Sequence, residues 1–203
     1  MIFFKLFLKF IIFTSNDLKW SLQNFYTKFL MFVFDVKYGS NFKSYGITFF
    51  RKSKNSKIII GDNCVFRSSN LSNLIGINHS NILSTHGKST ITIGNNCGFS
   101  GISIGAFSSI KLGDNVRCGS NVIITDGDWH ESDNRSNSPK SILINDNVWI
   151  GEGVKILKGV IIGKNSIIGM GSIVSRNIPE NVIAVGNPCK VIKRINNDKG
   201  NKL

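Results

Sequence analysis

The chain has 203 residues and a formal net charge of +13, with 25 lysines and arginines against 12 acidic residues. That length suits one domain with a sizeable core, and that charge favours anionic partners such as a phosphorylated cofactor, an acidic glycan or a membrane surface. Nucleic acid is set aside, because the basic residues are scattered and no helix-turn-helix, zinc-finger or RNA-recognition pattern occurs.

The chain opens on MIFFKLFLKFIIF and, after a polar gap, continues with FYTKFLMFVF. Neither apolar run reaches the ~20 residues that a spanning helix needs, and no small-residue cleavage site follows the first. Residues 1–34 therefore predict one or two helices. They cap an end of the domain, or lie on the inner face of the cytoplasmic membrane with Lys5, Lys9, Lys19 and Lys28 near anionic headgroups, or do both.

From Ile60 a six-residue grammar sets in. Weak copies begin at Ile60 (IGDNCV) and Ile93 (IGNNCG), and LGDNVR, CGSNVI and Ile124 follow. From Ile144 six blocks run without interruption: INDNVW, IGEGVK, ILKGVI, IGKNSI, IGMGSI, VSRNIP. Such a period is neither the 3.6 of a helix nor the 2 of a flat strand, and its repetition means a solenoid. Three hexads make one triangular coil, with Asn and Gly at corners that need positive φ. Alternation along each short strand points Ile144, Ile150, Ile156, Ile162, Ile168 and Val174 inward. Val148, Val154, Val160, Ser166, Ser172 and Ile178 also point inward, whereas Trp149, Lys155, Ile161, Ile167, Ile173 and Pro179 point outward. Outward aliphatic side chains on flat walls suggest wall-to-wall association.

Between Ile124 and Ile144 the register fails, so the chain leaves the coil and returns. This excursion, residues 125–143, is polar and contains Asp126, Asp128 and His130. A rigid scaffold with one protruding loop is a common seat of chemistry. An unperturbed imidazole is largely neutral at pH 7, so His130 can act as a general base. Asp126 and Asp128 are placed to orient His130, to bind substrate hydroxyls or to form the turn. His79 and His86 precede the clear repeats and are expected at the surface. Cys64, Cys97, Cys118 and Cys189 form no C-x-x-C pair, so no metal site is expected and the thiols read as small core residues of a reducing compartment. The tail, residues 196–203, reads as loose.

The segments NVWIG at Asn147–Gly151 and IGKNSIIGMGSIVSRNIPENVIAVGNPCKVIKRI at Ile162–Ile195 resemble the bacterial hexapeptide-repeat O-acetyltransferases. That family includes the galactoside, maltose and nodulation-factor enzymes. Within it the chain looks most like the branch of lipopolysaccharide O-antigen and capsule synthesis. The resemblance runs from about Val36 to Ile195. It implies an all-β fold, a left-handed parallel β-helix over residues 35–195, and a homotrimer with active sites between neighbouring prisms. It also implies a cytoplasmic enzyme that moves an acetyl group from acetyl-CoA to a hydroxyl of a glycan or glycan precursor, with the loop histidine, here His130, as base.

On the acetyl-CoA side the resemblance implies Trp149, Glu152, Gly153, Met170, Ser175, Arg176, Lys190 and Lys193. The family often has a smaller residue where Met170 stands, and arginine where Lys190 and Lys193 stand; the latter exchange keeps charge but loses bidentate phosphate geometry. The galactoside enzymes' acceptor positions do not match around Phe99 to Phe107, which implies a different sugar. Three other readings compete: an amino-sugar N-acetyltransferase of the same fold, a zinc-dependent carbonic anhydrase of the hexapeptide class, which needs three histidine ligands, and a non-enzymatic scaffold.

Overall fold

The structure, a computed structural model, describes residues 2–130 and 132–195, with side chains from Ser15 onward. The tail read as loose lies outside the described residues. One helix, α1 (Ile2–Val33), leads into a three-sided prism of short parallel strands.

The first wall stacks Lys37–Tyr38, Lys57–Ile60, Thr90–Ile93, Ser109–Leu112, Ile142–Ile144 and Ile161–Ile162. The second stacks Lys43–Tyr45, Val65–Arg67, Gly98–Ser100, Arg117–Ser120, Trp149–Ile150, Ile167–Ile168 and Val182–Val185, and ends on an antiparallel strand, Lys190–Arg194. The third stacks Phe49–Lys52, Ile82–Thr85, Ser103–Ala106, Ile123–Thr125, Lys155–Ile156 and Ile173–Val174. Ile162 stands over Ile144 and Ile168 over Ile150, eighteen residues apart in each case, as three hexads per coil require.

The core is the set of inward columns. Ile144, Ile150, Ile156, Ile162, Ile168 and Val174 are all fully buried. Ser166 and Ser172 are also fully buried, their hydroxyls donating to Pro179 O and Gly169 O at 2.8 and 2.7 Å. Near the α1 end the prism is filled by a column of rings, Phe42, Phe66 and Phe99, with centroids 5.1 Å apart. Burying each such ring contributes about 1.5–3 kcal/mol. The four cysteines are free and buried. The neighbouring Cys64 thiol and burial push the Cys97 thiol up, and burial pushes the Cys118 thiol up. Neither is poised as a thiolate nucleophile.

Two expectations need correction. The last coil is sixteen residues, not eighteen: Ile178 pairs with Ile162 and Ile183 with Ile167. Ile178 therefore continues the Ile144–Ile162 column rather than that of Val148, Val154 and Val160. The repeat is also broken twice. Besides the expected excursion, the chain leaves the coil between Val65–Arg67 and Ile82–Thr85, on the edge joining the second and third walls. The sequence signal is the step from Ile60 to its wall partner Ile93, which is thirty-three residues.

Candidate active site

The loop expected to carry the chemistry leaves the edge between the third and first walls, after Ile123–Thr125, and rejoins at Ile142–Ile144. Its base is fixed at several points. Asp126 is fully buried, and its two carboxylate oxygens accept from Phe107 N at 2.6 Å and Ser108 N at 2.9 Å, in the coil before. Lys140 N donates to Asp126 O at 2.9 Å and Gly159 N to Lys140 O at 2.8 Å, which pins the returning strand to the next coil. Asp128 pairs with Lys158 and accepts from Asn137 N at 2.9 Å. Of the three roles open to Asp126, its burial and full engagement leave the turn-forming one. Asp128 is likewise tied within the chain.

The pairing with Lys158 holds the Asp128 carboxyl below the usual carboxylate range, and the pairing with Arg135 does the same for Asp133. The sign follows: these loop contacts are fully present above the ordinary carboxylate pKa and are lost as pH falls through the depressed one.

Trp129 turns the chain just beyond that base. Its φ is 62°, an uncommon value for a bulky residue. That backbone lays the indole back on the prism, where its Nε1 donates to Thr125 Oγ1 at 2.9 Å. The indole rests where a side chain at Gly105 would be, since a Cβ there would stand 2.3 Å from the ring. It also meets Phe107 edge-on at 5.2 Å and His86 edge-on at 5.1 Å, while His86 and Phe107 stack at 4.3 Å. His86 Nε2 is buried with no hydrogen-bond partner among the described residues. With the half-exposed Trp129 laid against the prism, the next residue, His130, is exposed. The backbone carbonyl of His130 accepts from Asp133 N at 3.0 Å and from Ser136 Oγ, which fixes the turn, and no described residue bonds to its imidazole. A cavity of about 250 Å³ lies beside the loop, lined by Phe107, Asp128 and Asn137 among others.

His79 and His86 are not the surface residues expected. Both are half-buried; His79 Nε2 sits 2.8 Å from Ser103 Oγ, and His86 belongs to the aromatic cluster under the loop. Among the described residues no three metal-ligating side chains come together. His86, Phe107 and Lys158 were missed. They lie up to 43 residues from Trp129 in sequence, so only the coil register brings them to the loop.

The residues expected on the acetyl-CoA side do not gather in one chain. Glu152, Gly153 and Met170 lie on the edge between the second and third walls, where Gly153 N bonds Ser120 O and Gly171 N bonds Glu152 O, both at 2.8 Å. Gly153 there has φ 67°, and a Cβ at the neighbouring Gly151 would strike Met170 N at 2.6 Å, so these corners stack backbone on backbone. Ser175 and Arg176 are exposed on the other edge, one coil beyond Lys158. Lys190 and Lys193 are exposed on the final antiparallel strand. Trp149, half exposed, stands on the second wall beside Arg117 and lines a groove with Arg67, Gly98 and Phe99. The third wall separates His130 from Glu152, Gly153 and Met170.

Residues 141–176 match the model of the bacterial transferase hexapeptide, in six repeats. That match is confined to the strict coils of the chain. The hexapeptide region and its surroundings are similar to the galactoside O-acetyltransferase of Escherichia coli, with 43% identity over 92 residues, 43% of this chain and 45% of that one. The chain spans less than half the length of the curated relatives it matches. Among solved structures, a galactoside acetyltransferase in complex with coenzyme A superposes with a TM-score of 0.52 at 26% identity, covering 87% of this chain and 82% of that one. A polysialic-acid-specific acetyltransferase superposes with a TM-score of 0.54 at 26% identity, covering 83% and 90%. The hexapeptide prism is thus an all-β, left-handed parallel β-helix, as the resemblance implied.

Proposed function

We propose that this chain is an acetyl-CoA-dependent O-acetyltransferase that acts on a sugar hydroxyl of a bacterial surface polysaccharide or its precursor, as a homotrimer. The observation that carries this reading is the loop. Its base is locked by Asp126, by Asp128 with Lys158, and by Trp129, while the His130 imidazole is left exposed with no partner among the described residues. A group that deprotonates a substrate hydroxyl must bring its ring within hydrogen-bond reach of it, which a fixed backbone and an exposed ring allow. The hexapeptide match and the acetyltransferase relatives support the acyl donor.

His130 takes the proton from the acceptor hydroxyl as that oxygen attacks the thioester carbon. The tetrahedral oxyanion then collapses, the carbon–sulfur bond breaks, and the imidazolium returns the proton to the leaving thiolate. The separation of His130 from Glu152, Gly153 and Met170 by one wall supports a site completed between copies, with the loop of one prism facing the edge of another. Lys190 and Lys193 are assigned to the phosphates of the nucleotide end of CoA.

The amino-sugar reading keeps every one of these steps with an amine in place of the hydroxyl. Thiol release from acetyl-CoA, followed over a panel of hydroxyl and amino sugars, separates the two. We expect turnover with a hydroxyl sugar, lost by about 10²–10⁴-fold in His130→Ala. Turnover confined to amino sugars contradicts the O-transfer assignment, and no thiol release with any acceptor contradicts the enzyme.

A further inference from the structure

The described part of α1 has two faces, and only one is used by the prism. Trp20, Asn24, Thr27 and Met31 recur at helical spacing on the covered face. Trp20 meets Tyr45 edge-on at 5.5 Å, Asn24 Oδ1 accepts from Ser44 N at 2.8 Å, and Thr27 and Met31 are fully buried. Leu18, Leu22, Phe25, Phe29 and Phe32 recur on the opposite face at the same spacing. They are 64%, 62%, 72%, 51% and 82% exposed. Five large apolar side chains in one open stripe are more than scattered surface residues.

The charges decide the occupant. At about 100° per residue, Lys19 falls on one flank of the stripe and Lys28 on the other. The only acidic residue of α1 is Asp17. The surrounding end of the molecule continues the pattern: ten of the 25 basic residues and two of the 12 acidic ones lie in the first 57. Lys37, Lys43, Arg51, Lys54 and Lys57 of the first turns of the prism are all exposed. A second copy of the helix laid on the stripe would bring lysine against lysine, whereas an anionic bilayer offers apolar chains to the stripe and phosphates to the lysines. No helix among the described residues is long and apolar enough to cross a membrane, so the helix lies in the surface rather than through it.

We infer that the open Leu18–Phe32 face of α1 docks the prism flat onto an anionic lipid surface, with α1 between prism and bilayer. This rests on the helix and not on the transfer reaction, and its test needs no acetyl-CoA. Full-length protein is sedimented with vesicles of phosphatidylcholine alone and of phosphatidylcholine with phosphatidylglycerol. We expect binding to the anionic vesicles, reduced by at least about tenfold in Leu22→Ser/Phe25→Ser/Phe29→Ser, with melting unchanged. Lys19→Gln/Lys28→Gln should remove much of the salt-sensitive part of binding. Should the triple variant fold poorly, Phe32→Ser, at the most exposed position, should still weaken binding severalfold. The inference is overturned if the wild type stays in the supernatant, if the folded variants pellet like it, or if the stripe variants change the oligomer size in lipid-free sedimentation instead.

Discussion

Two edges of the same prism are built from the same hexads and do opposite things. Where the first wall turns into the second, each corner is closed by the coil after it. Asp62 accepts from Ser40 N, Asn95 from Asp62 N, Asp114 from Asn95 N and Asp146 from Asp114 N, at 2.6–2.8 Å. Beside this ladder runs a second one of amides: Asn147 donates to Asn165 at 3.1 Å, and Asn165 to Asn181 at 2.9 Å. All three are in the left-handed region, φ 58°, where asparagine is tolerated. Where the third wall turns into the first, one corner instead releases the loop that carries His130. Both edges use a carboxylate that accepts backbone N–H groups from another coil. On the closed edge these rungs repeat and leave nothing over; on the open edge Asp126 does it once and anchors an irregular segment. The closed edge serves stability, and the open edge is where we propose that side chains meet a substrate.

The contrast can be broken from either side. On the open edge, Trp129→Ala removes the indole that lies on Gly105, Phe107 and His86 and leaves His130 chemically intact. A misplacement of about 1 Å costs on the order of 10² in rate, so kcat should fall by about that much. Phe should restore part of it, since the edge contacts survive while the bond to Thr125 does not. Steady-state kinetics of both variants check this. If Trp129→Ala keeps wild-type kcat, the cluster does not position the loop.

Lys190 and Lys193, away from both edges, sharpen the division between binding and chemistry. Lys190→Ala/Lys193→Ala should raise KM for acetyl-CoA by about tenfold, less at high salt, with kcat nearly unchanged. Comparing acetyl-CoA with its 3′-dephospho analogue checks the assignment. A double variant that discriminates between the two as well as wild type shows that these lysines do not read the 3′-phosphate.

The smallest effect belongs to the closed edge. Asp146→Ala leaves Asp114 N without its acceptor at an exposed corner, which should cost about 1 kcal/mol, as loss of a helix cap does. A denaturant melt should move by that amount while turnover per folded molecule stays the same.

Much of the fold was legible because the period of six is dense and unbroken from Ile144 to Val174, and each block shows an inward aliphatic side chain and a corner Asn or Gly. The sixteen-residue final coil was misread because a uniform period had been carried past Val174, where the chain drops two residues before Ile178. The excursion at residues 68–81 was missed because the copies around it are weak and its polar residues, with exposed Leu71, Leu74 and Ile75, resemble ordinary linker. The excursion that carries His130 was legible from the break in the register. Its support was not. Phe107 and His86 reach Trp129 only through coil register, and neither spacing nor composition marks them. Asp126 and Asp128 look alike in sequence; burial alone makes the first a structural anchor and leaves the second an ion pair at the surface.

The central claim is that chemistry and stability sit on different edges of one prism. The most direct test measures His130→Ala and Asp146→Ala side by side, for kcat at saturating acetyl-CoA with an accepted sugar and for unfolding free energy. The account predicts that His130→Ala loses about 10²–10⁴-fold in kcat at unchanged stability, and that Asp146→Ala loses about 1 kcal/mol at unchanged kcat. A His130→Ala variant that turns over like wild type, or an Asp146→Ala variant that loses activity while fully folded, contradicts it.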